Sequence, residues 1–299
     1  MKKLKAALLI FISSVLLAAC SAGHATPDVP VFQTGVDPEE WATVPSGAFQ
    51  MGQFNEQVNI SYNYQIMITE VTNRQYAAFL NQAMEDGSIT ITGDEISGYY
   101  QGDDFHAGRH EVEIIPGNYI YYLLDETDSR IVYDGYQFSV KTGYDDHPVT
   151  MVSWFGAQAY ASYYEWRLPT EAEWEKAARG TDGRPYPWGN GIGPDYANYY
   201  NSSDPFEEGT GAIGNTTPAG FYNGKTYGGF DTQDCASPYG VYDMAGNVWE
   251  WTADIYTGTH LRYLRGGSKA SYGYDLRAWT RNSAHPAFCG PDTGFRVVK

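Results

Sequence analysis

The sequence predicts an α+β domain with little regular secondary structure, made of a few helices and short strands. Glycine and proline account for 33 and 15 of the 299 residues, and both residue types interrupt long helices and strands. Aromatic residues make up 16% of the chain, with 26 tyrosines, and such large rings can pack between loops. Helical periodicity is confined to segments before residue 181. Together these observations favour a loop-rich fold over a helical bundle.

The first 20 residues have the composition of a signal peptide for export. Three lysines precede an apolar run over residues 6–19, which is shorter than a membrane-spanning helix needs. The run ends in Leu-Ala-Ala-Cys, which resembles a bacterial lipobox and implies cleavage before Cys20 and lipid attached to it. Ser21 follows and, by the same resemblance, favours an outer-membrane location in the cell envelope. The alternative is ordinary cleavage after Ala25, which would give a soluble secreted protein.

Residues 21–40 are rich in proline and polar residues, which predicts a flexible tether between the lipid and a folded part. Strand-like patterns begin near Trp41, and neither an internal repeat nor a second boundary in composition follows. The prediction is therefore one domain over residues 41–299.

The net charge argues against one class of partner, nucleic acid. The chain has 36 acidic and 19 basic residues, which gives a formal charge of −17. Because this charge repels phosphates, nucleic acid is not an expected partner. The acidity is compatible with an exported protein that binds calcium.

Helices are predicted at three places along the chain. The pairs Thr72–Gln75 and Thr170–Glu173 have the spacing of capping boxes, and each precedes a stretch with helical periodicity. A further helix is predicted over residues 153–163, opened by a serine. Gly87 and Gly180 are expected to end the first and third helices, because glycine readily adopts the left-handed conformation at a helix end.

Short strands are predicted on both sides of the first helix. Residues 41–54 and 57–72 indicate strands and turns, because apolar residues alternate between Gly, Pro and Asn. Residues 88–145 are rich in Tyr, Asp and Gly and contain the strand-like segments NYIYYLL and IVYDGYQFSV. This region is predicted to be an insertion of hairpins and loops.

Four sequence blocks stand in an order that resembles a known family. They are EVTNRQYAAFL, HPVTMVSWFGAQAYASYYEWRLPTEAEWEKAARG, YPWGN and YGVYDMAGNVWEWTAD, followed by RGGS, LRAWTR and a terminal GFRVVK. The set resembles the formylglycine-generating-enzyme, or sulfatase-modifying-factor, domain and spans most of residues 41–299. The resemblance implies a variant of the C-type-lectin-like fold, with structural calcium.

The resemblance offers a reason for the carboxylates that stand among aromatic residues in DMAGNVWE. In this family the matching segment wraps a calcium ion with side-chain and carbonyl oxygens. The implied ligands are Asp243, Glu250, Gly246 and Val248. Calcium takes about six to eight oxygen ligands, and glycine lets a backbone turn its carbonyls inward. The alternative is that Glu250 pairs with an arginine, such as Arg265 or Arg277.

A second calcium site is implied around Asn198, with the backbone carbonyl of Tyr199. Its remaining ligands are open, since the segment DPFEEG offers several acids. These acids are Asp204, Glu207 and Glu208. Structural calcium is thus the expected cofactor.

Copper is not an expected cofactor. The oxidase members of the family hold copper(I) with two cysteines that follow the GGS block, and copper(I) prefers thiolate ligands. Residues 265–281 contain no cysteine, and Ser271 and Gly273 stand about where the thiols would be needed. The resemblance therefore implies that formylglycine is not made by this route, and no catalytic residue is assigned.

Two cysteines, Cys235 and Cys289, follow the lipobox. In an exported chain a disulfide between them is one prediction. Two unrelated buried thiols are the other, and the sequence leaves both open.

Three histidines stand near acids. His106 and His110 in HAGRHEVE have the histidine spacing of an iron-binding pattern from another branch of the family, His-x3-His-x-Glu, but glutamate stands one residue off. Their surroundings predict loop and strand rather than the helix that would place both on one face. Surface histidines are therefore predicted there. His147 follows Asp145 and Asp146 in GYDDHPV, and this cluster is interpreted as a structural turn.

The tryptophans and arginines of the family blocks are predicted to be structural. The tryptophans expected to pack in the core are Trp174, Trp188, Trp249 and Trp251. The arginines expected to fix loops by bidentate hydrogen bonds are Arg167, Arg277, Arg281 and Arg296.

Two functions follow from these observations. The first is a ligand-binding or structural module, since loops on a rigid scaffold commonly carry recognition. Its candidate contact residues are Tyr272, Tyr274, Trp279, His285 and Phe288. Its partners would be the membrane, through the lipid, and an unidentified protein or glycan. The second function is a metal-dependent oxidoreductase of the same family that works without the cysteine pair.

Overall fold

The protein is described by a computed structural model over residues 29–124, 127–207 and 214–299. The predicted lipidation residue Cys20 and the candidate calcium ligand Glu208 lie outside these residues. Within them, no helix is both long and apolar enough to cross a membrane.

The α-helices of the described residues form where they were predicted. They are α1 at Asn73–Glu85, α2 at Trp154–Tyr163 and α3 at Glu171–Arg179. Both capping boxes are present, since the hydroxyls of Thr72 and Thr170 accept a backbone N–H three residues on. Gly180 ends α3 with a φ of 66°, a conformation that suits glycine.

The strands are short, as the sequence predicts. In chain order they are β1 Trp41–Val44, β2 Gly47–Met51, β3 Glu56–Ile60, β4 Tyr64–Met67, β5 Ile89–Thr92, β6 Glu95–Tyr100, β7 Gly117–Leu123, β8 Ile131–Tyr133, β9 Phe138–Val140, β10 Thr226–Tyr227, β11 Phe230–Asp231, β12 Trp249–Ile255, β13 Arg262–Arg265, β14 Arg281–Ala284 and β15 Thr293–Gly294. The 181–299 region adds one short 3₁₀ helix within the described residues, at Gly273–Leu276.

Two sheets position the regions discussed below. A four-stranded sheet has the order β14-β13-β12-β15, in which β12 pairs in parallel with β15 and antiparallel with β13. The insertion builds its own antiparallel sheet, β5-β6-β7, and β7 packs on α2. The insertion therefore adds a wall beside the framework helices.

Two hydrophobic clusters hold the helices against the sheets. The apolar face of α1, with Tyr76, Phe79 and Leu80, is buried in the larger cluster. Trp174 of α3 is fully buried in the second cluster. Burial of a side chain of this size contributes about 2–3 kcal/mol, so these residues fix α1 and α3 in place.

The predicted tether is wrong for residues 29–40. Val29 is buried, and Phe32 packs on Phe206, Phe221 and Tyr227 with ring centroids 5.9, 6.0 and 5.5 Å away. The composition predicted a tether because polar residues outnumber these few apolar ones. It could not show their aromatic partners, which lie far along the chain. The packed domain therefore includes residues before Trp41.

Candidate metal centre

The loop over residues 243–248, which leads into β12, has an unusual backbone. Asp243, Gly246 and Asn247 have φ angles of 57°, 87° and 62°, in the left-handed region that favours glycine. A Cβ on Gly246 would lie 2.3 Å from the carbonyl oxygen of Asn198, so glycine is required there. The same carbonyl accepts the Asn247 N–H at 2.8 Å. The loop thus brings Gly246 and Asn198, predicted for two separate sites, into contact.

A buried group of ionisable side chains lies beside this loop. This acid-rich cluster consists of Glu70, Asp243, Glu250 and Arg296. Glu250 is fully buried and accepts from Nη2 and Nε of Arg296 at 2.8 and 2.7 Å and from Nε1 of Trp174 at 2.8 Å. Arginine pairing is the alternative that the sequence left open, although the partner is Arg296 rather than Arg265 or Arg277.

The other two carboxylates of the acid-rich cluster have no comparable partner. Glu70 is fully buried, and within the described residues its oxygens accept no hydrogen bond from an N–H group of another residue; its side chain meets the carboxyl of Asp243. Burial, and then the charge of Asp243, raise the pKa of Glu70 well above its usual range, while Arg296 opposes the shift. Asp243 accepts the Gly220 N–H at 2.6 Å, and burial of its carboxyl raises its pKa to about 6.

The acid-rich cluster has an excess of negative charge. Its three carboxylates and one guanidinium sum to −2 when all are ionised. Protons or a cation must neutralise such a buried excess. A divalent cation beside Glu70 and Asp243 would balance it, and calcium accepts both carboxylate and carbonyl oxygens.

Side chains alone do not provide all the oxygen ligands that such a cation needs. Across residues 29–124, 127–207 and 214–299, no three His, Cys, Asp or Glu side chains have the geometry of a metal site. Backbone carbonyls, such as those predicted at Gly246 and Val248, would therefore have to complete a calcium shell. Calcium at this loop stays a prediction, with Glu70 as an additional candidate ligand.

A second buried ionic group has a different balance. This arginine–glutamate cluster consists of Glu171, Glu175, Arg179 and Arg265. Arg265 contacts Glu171 at 2.9 Å and Glu175 at 2.7 Å, and Arg179 contacts Glu175 at 2.9 Å. All four residues are buried. The partly exposed Arg281 also lies 3.0 Å from Glu171, so guanidiniums pair both carboxylates and the cluster needs no cation.

The residues predicted for a second calcium site have hydrogen-bond partners within the protein. Asn198 donates to the distant Asn215 carbonyl at 2.9 Å, and the Tyr199 carbonyl accepts the Ser202 N–H at 3.0 Å. Asp204 accepts the Ser202 hydroxyl at 2.8 Å, and Glu207 accepts two backbone N–H groups. These acids stabilise the turn in the absence of an ion, and the second calcium site stays a prediction.

Three of the predicted ligand contacts lie together on one surface. Tyr272 precedes the 3₁₀ helix and Tyr274 lies within it, with exposed fractions of 66% and 63%. The Arg277 guanidinium lies 3.8 Å from the ring centroid of Tyr274 and 5.6 Å from that of Trp279. Exposed aromatic rings beside a cation form a surface suited to recognition.

His285 and Phe288 lie on the loop after β14. The His285 ring is 4.9 Å from that of His260, and its Nδ1 accepts the Ala287 N–H at 3.1 Å. Nδ1 of His260 accepts the Val112 N–H at 3.1 Å. These contacts join the C-terminal loop to the insertion, so His285 has a packing role besides any binding role.

The predicted disulfide does not form. Cys235 is buried in the cluster that includes Phe221, whereas Cys289 packs against the cluster that holds α1 and α2. The two cysteines therefore lie in separate parts of the protein, with Cys235 buried and Cys289 only partly buried. Burial raises the pKa of the Cys235 thiol, which makes it unreactive.

The remaining histidine predictions agree with the structure. His106 and His110 are exposed on a loop of the insertion, and His106 lies 3.4 Å from Glu111. His147 is buried, with Nδ1 2.9 Å from the Thr216 hydroxyl, and burial lowers its pKa to about 3. A histidine held neutral in this way has a structural role in the turn.

Nearly all of the described chain matches one protein family. The match covers residues 28–299, and the family is described as "Sulfatase-modifying factor enzyme 1-like domain". The chain belongs to this family. The resemblance drawn from the sequence blocks is thereby confirmed.

Relatives of the chain include a formylglycine-generating enzyme, a protein named as inactive and a protein named as a kinase. A formylglycine-generating enzyme of Thermomonospora curvata is 32% identical over 260 residues, which are 76% of this chain and 79% of the relative. An "Inactive C-alpha-formylglycine-generating enzyme 2" of Mus musculus is 39% identical over 50% of this chain, and a "Serine/threonine-protein kinase pkn1" of Chlamydia caviae is 36% identical over 59%. The chain spans only 48% and 28% of the length of these two relatives.

Solved structures share the fold. PvdO from Pseudomonas aeruginosa has a TM-score of 0.54 and 23% identity, over 92% of this chain and 99% of PvdO. CarF has a TM-score of 0.53 and 22% identity, over 87% of this chain and 97% of CarF. These similarities confirm the predicted fold class, a formylglycine-generating-enzyme-type α+β domain.

Sequence reasoning missed Glu70. It stands in IMITEVT, an acid within an apolar strand-like stretch, the same pattern that drew attention to DMAGNVWE. The sequence pattern was therefore visible at Glu70. Only the folded structure shows that Glu70 belongs to the acid-rich cluster, because Asp243 and Arg296 lie far from it along the chain.

Proposed function

We propose that the chain is a lipid-anchored protein of the cell envelope, in the outer membrane, which binds a protein or glycan or builds surface structure. On this proposal it does not generate formylglycine. The observation that carries it is the absence of cysteine from residues 265–281, where the oxidase members hold copper(I). Ser271 stands there, and its Oγ accepts the Ser268 N–H at 3.0 Å. A serine hydroxyl is a poor ligand for copper(I).

The proposed recognition surface is centred on Tyr272 and Tyr274. Support comes from their exposure and from the Arg277 guanidinium stacked on Tyr274. A rigid framework also flanks this surface, since Tyr186 donates from its hydroxyl to the Gly273 carbonyl at 3.0 Å. Rigid aromatic contacts lose little conformational freedom when a ligand binds.

We propose structural calcium beside Asp243 as part of this function. Support comes from the excess of carboxyl groups over guanidiniums in the acid-rich cluster and from the Glu70 carboxyl, which accepts no hydrogen bond from an N–H group of another described residue. A calcium ion there would fix the loop that precedes β12, and β12 carries the sheet to which the C-terminal segments pair. The ion would thus support the recognition surface without contacting a ligand.

An oxidation assay tests the proposal that no formylglycine is made. The purified chain is incubated with copper(I) and a cysteine-containing sulfatase peptide, and aldehyde is detected by hydrazide labelling. We expect no aldehyde, with the Thermomonospora curvata enzyme as the positive control. A matched variant, Ser271→Cys with Gly273→Cys, is expected to gain copper(I) binding. Aldehyde formed by the unmodified chain would favour the oxidoreductase alternative.

Elemental mass spectrometry of the chain purified without chelator tests the cofactor. Bound calcium without stoichiometric copper or iron is the expected result. Stoichiometric copper or iron would contradict it and would again favour the oxidoreductase, with His106 and His110 the first residues to replace.

The lipid anchor is tested with Cys20→Ser. We expect the unmodified chain to incorporate labelled fatty acid and to sediment with outer membranes, and the variant to do neither. A variant that still carries label, or an unmodified chain that is cleaved after Ala25, would exclude lipidation at Cys20.

A further inference from the structure

An open groove lies between α2 and the sheet of the insertion. It consists of two adjoining cavities of about 600 and 260 Å³, which share Tyr99, Tyr121, Ala159 and Ser162. The end of α1 closes one side. The larger cavity has the size of sites that bind small ligands. None of the lining residues belongs to the C-terminal loops that carry Tyr272.

The floor of the groove is held in a fixed position. A Cβ on Gly98 of β6 would lie 2.5–2.6 Å from Tyr121 ring and hydroxyl atoms, so the absence of a side chain lets this ring lie across the strand. The Tyr121 hydroxyl donates to the Tyr99 carbonyl at 2.9 Å. The ring is therefore preorganised as an apolar floor between β6 and β7.

Two further tyrosines stand at the rim of the groove. Tyr99 is 65% exposed although it lies in a strand, and Tyr163 at the end of α2 is 37% exposed. Tyr163 is supported by an edge contact with Phe79, with ring centroids 5.4 Å apart. The rim thus presents aromatic rings to solvent, where a ligand with an apolar face can stack on them.

The lining of the groove is uncharged. No Asp, Glu, Lys, Arg or His lines either cavity, whereas other cavities of the described chain carry the pairs Arg74 with Asp146 or Arg184 with Asp182. Asp86 does not itself line the groove, but its carboxylate accepts the Ser88 N–H at 2.9 Å and the Tyr163 hydroxyl, so one charge lies directly behind the rim. In a chain with a net charge of −17, a groove whose own lining carries no charge favours an uncharged ligand.

Hydrogen-bonding groups accompany the rings. Gln158 and Ser162 lie one turn apart on α2 and are joined by a hydrogen bond of 3.0 Å, and both line the smaller cavity. Asn118 and Thr90 line the larger one from β7 and β5. An amide and a hydroxyl each both donate and accept, which matches a ligand with many hydroxyl groups.

We propose that this groove binds an uncharged saccharide. The tyrosine rings at the rim stack on the C–H faces of the sugar rings, and the amide and hydroxyl side chains bind the sugar hydroxyls. The site is distinct from the Tyr272–Tyr274 surface and does not depend on calcium ligands. The inference holds whether or not that surface also binds a ligand.

Binding of neutral glycans by the purified full chain tests the proposal. An array of neutral oligosaccharides identifies a binder, and calorimetry then compares the unmodified chain with Tyr99→Ala, Tyr163→Ala and Gln158→Leu. We expect each aromatic replacement to weaken binding by about tenfold or more. The matched control is Tyr136→Ala, since Tyr136 is 87% exposed on the same insertion but lies outside the groove. This control should bind as the unmodified chain does.

The outcomes separate this groove from the proposed recognition surface. Tyr274→Ala should leave saccharide binding unchanged. If Tyr274→Ala weakens binding while Tyr99→Ala binds normally, the sugar binds at the Tyr272–Tyr274 surface and the proposal is overturned. No binding across the array, or preference for acidic glycans, would also overturn it. So would binding of a proline-rich peptide with the same dependence on Tyr99, in place of any sugar.

Discussion

The two buried ionic clusters lie on either side of one tryptophan and have opposite charge balances. Trp174 donates to Glu250 in the acid-rich cluster, while its ring lies 5.2 Å from the Arg265 guanidinium of the arginine–glutamate cluster. In the arginine–glutamate cluster each carboxylate pairs with a guanidinium of the chain. The acid-rich cluster has three carboxyl groups and one guanidinium, and burial raises the pKa values of two of these carboxyls. The difference shows that a buried carboxyl can be neutralised by an arginine, by a proton or by a cation, so burial alone does not indicate a metal site.

The largest effect is expected from Arg296→Met. This change removes the guanidinium that pairs with Glu250 and leaves three neighbouring carboxyl groups without it, which costs about 3–5 kcal/mol. Urea unfolding measures the loss of stability. The reference is Arg265→Met, which leaves Glu175 paired with Arg179 and Glu171 paired with Arg281, and is expected to cost less. If the Arg296→Met chain is as stable as the unmodified one, the Arg296 guanidinium is not needed to neutralise the carboxyl groups of the acid-rich cluster.

Two glutamate-to-glutamine changes should differ in sign without calcium. Glu175→Gln removes a charge that pairs with Arg179 and Arg265, and is expected to destabilise the chain by about 3 kcal/mol. Glu70→Gln replaces a carboxyl that burial keeps protonated with a neutral amide of the same shape, and is expected to be neutral or stabilising. Urea midpoints measured in chelator compare them. Equal losses for both would mean that Glu70 is ionised and paired in the folded protein.

Calcium should stabilise the chain through the acid-rich cluster. At a calcium concentration about 100-fold above Kd, the gain for one site is about 2.7 kcal/mol, measured as a shift of the urea midpoint relative to chelator. Asp243→Asn and Glu70→Gln should reduce this gain, whereas Glu175→Gln should retain it. An undiminished gain in Asp243→Asn would place the ion elsewhere.

Without calcium, stability should fall as pH rises from about 4 through 6. The pKa of Asp243 is raised to about 6 in the folded protein, so the folded state retains a proton that the unfolded chain releases. This contribution is fully present below the unfolded pKa and is lost above about pH 6, with a size of about 3 kcal/mol. The difference between the unmodified chain and Asp243→Asn isolates it. His147, with the opposite dependence, is common to both proteins.

The smallest effect is expected at an exposed ion pair. Arg74 lies 2.9 Å from Asp146, but both side chains are exposed by more than a third. Arg74→Met should therefore change the unfolding free energy by less than about 1 kcal/mol. A loss as large as that for Arg296→Met would show that charge pairing matters equally at the surface and in the core.

Local signals predicted most of the regular elements. The capping boxes at Thr72 and Thr170 and the glycine at Gly180 mark helix ends through contacts within a few residues, so they are readable from the sequence. The tether prediction failed at Val29 and Phe32, since composition cannot show that aromatic partners lie nearly two hundred residues away. The sequence left the disulfide between Cys235 and Cys289 open for the same reason, because no local pattern reports the separation of two thiols.

The sequence by itself determined the family, the helix positions and the absence of a cysteine pair after the GGS block, since each depends on residue identity and short spacing. Only the tertiary structure decided that Glu250 pairs with Arg296, that the Glu70 carboxyl meets that of Asp243, and that the insertion forms a groove against α2. The physical reason is how far apart along the chain the interacting residues lie. Caps and turns are made by neighbours along the chain, whereas charge balance and concave surfaces depend on distant segments that meet only after folding.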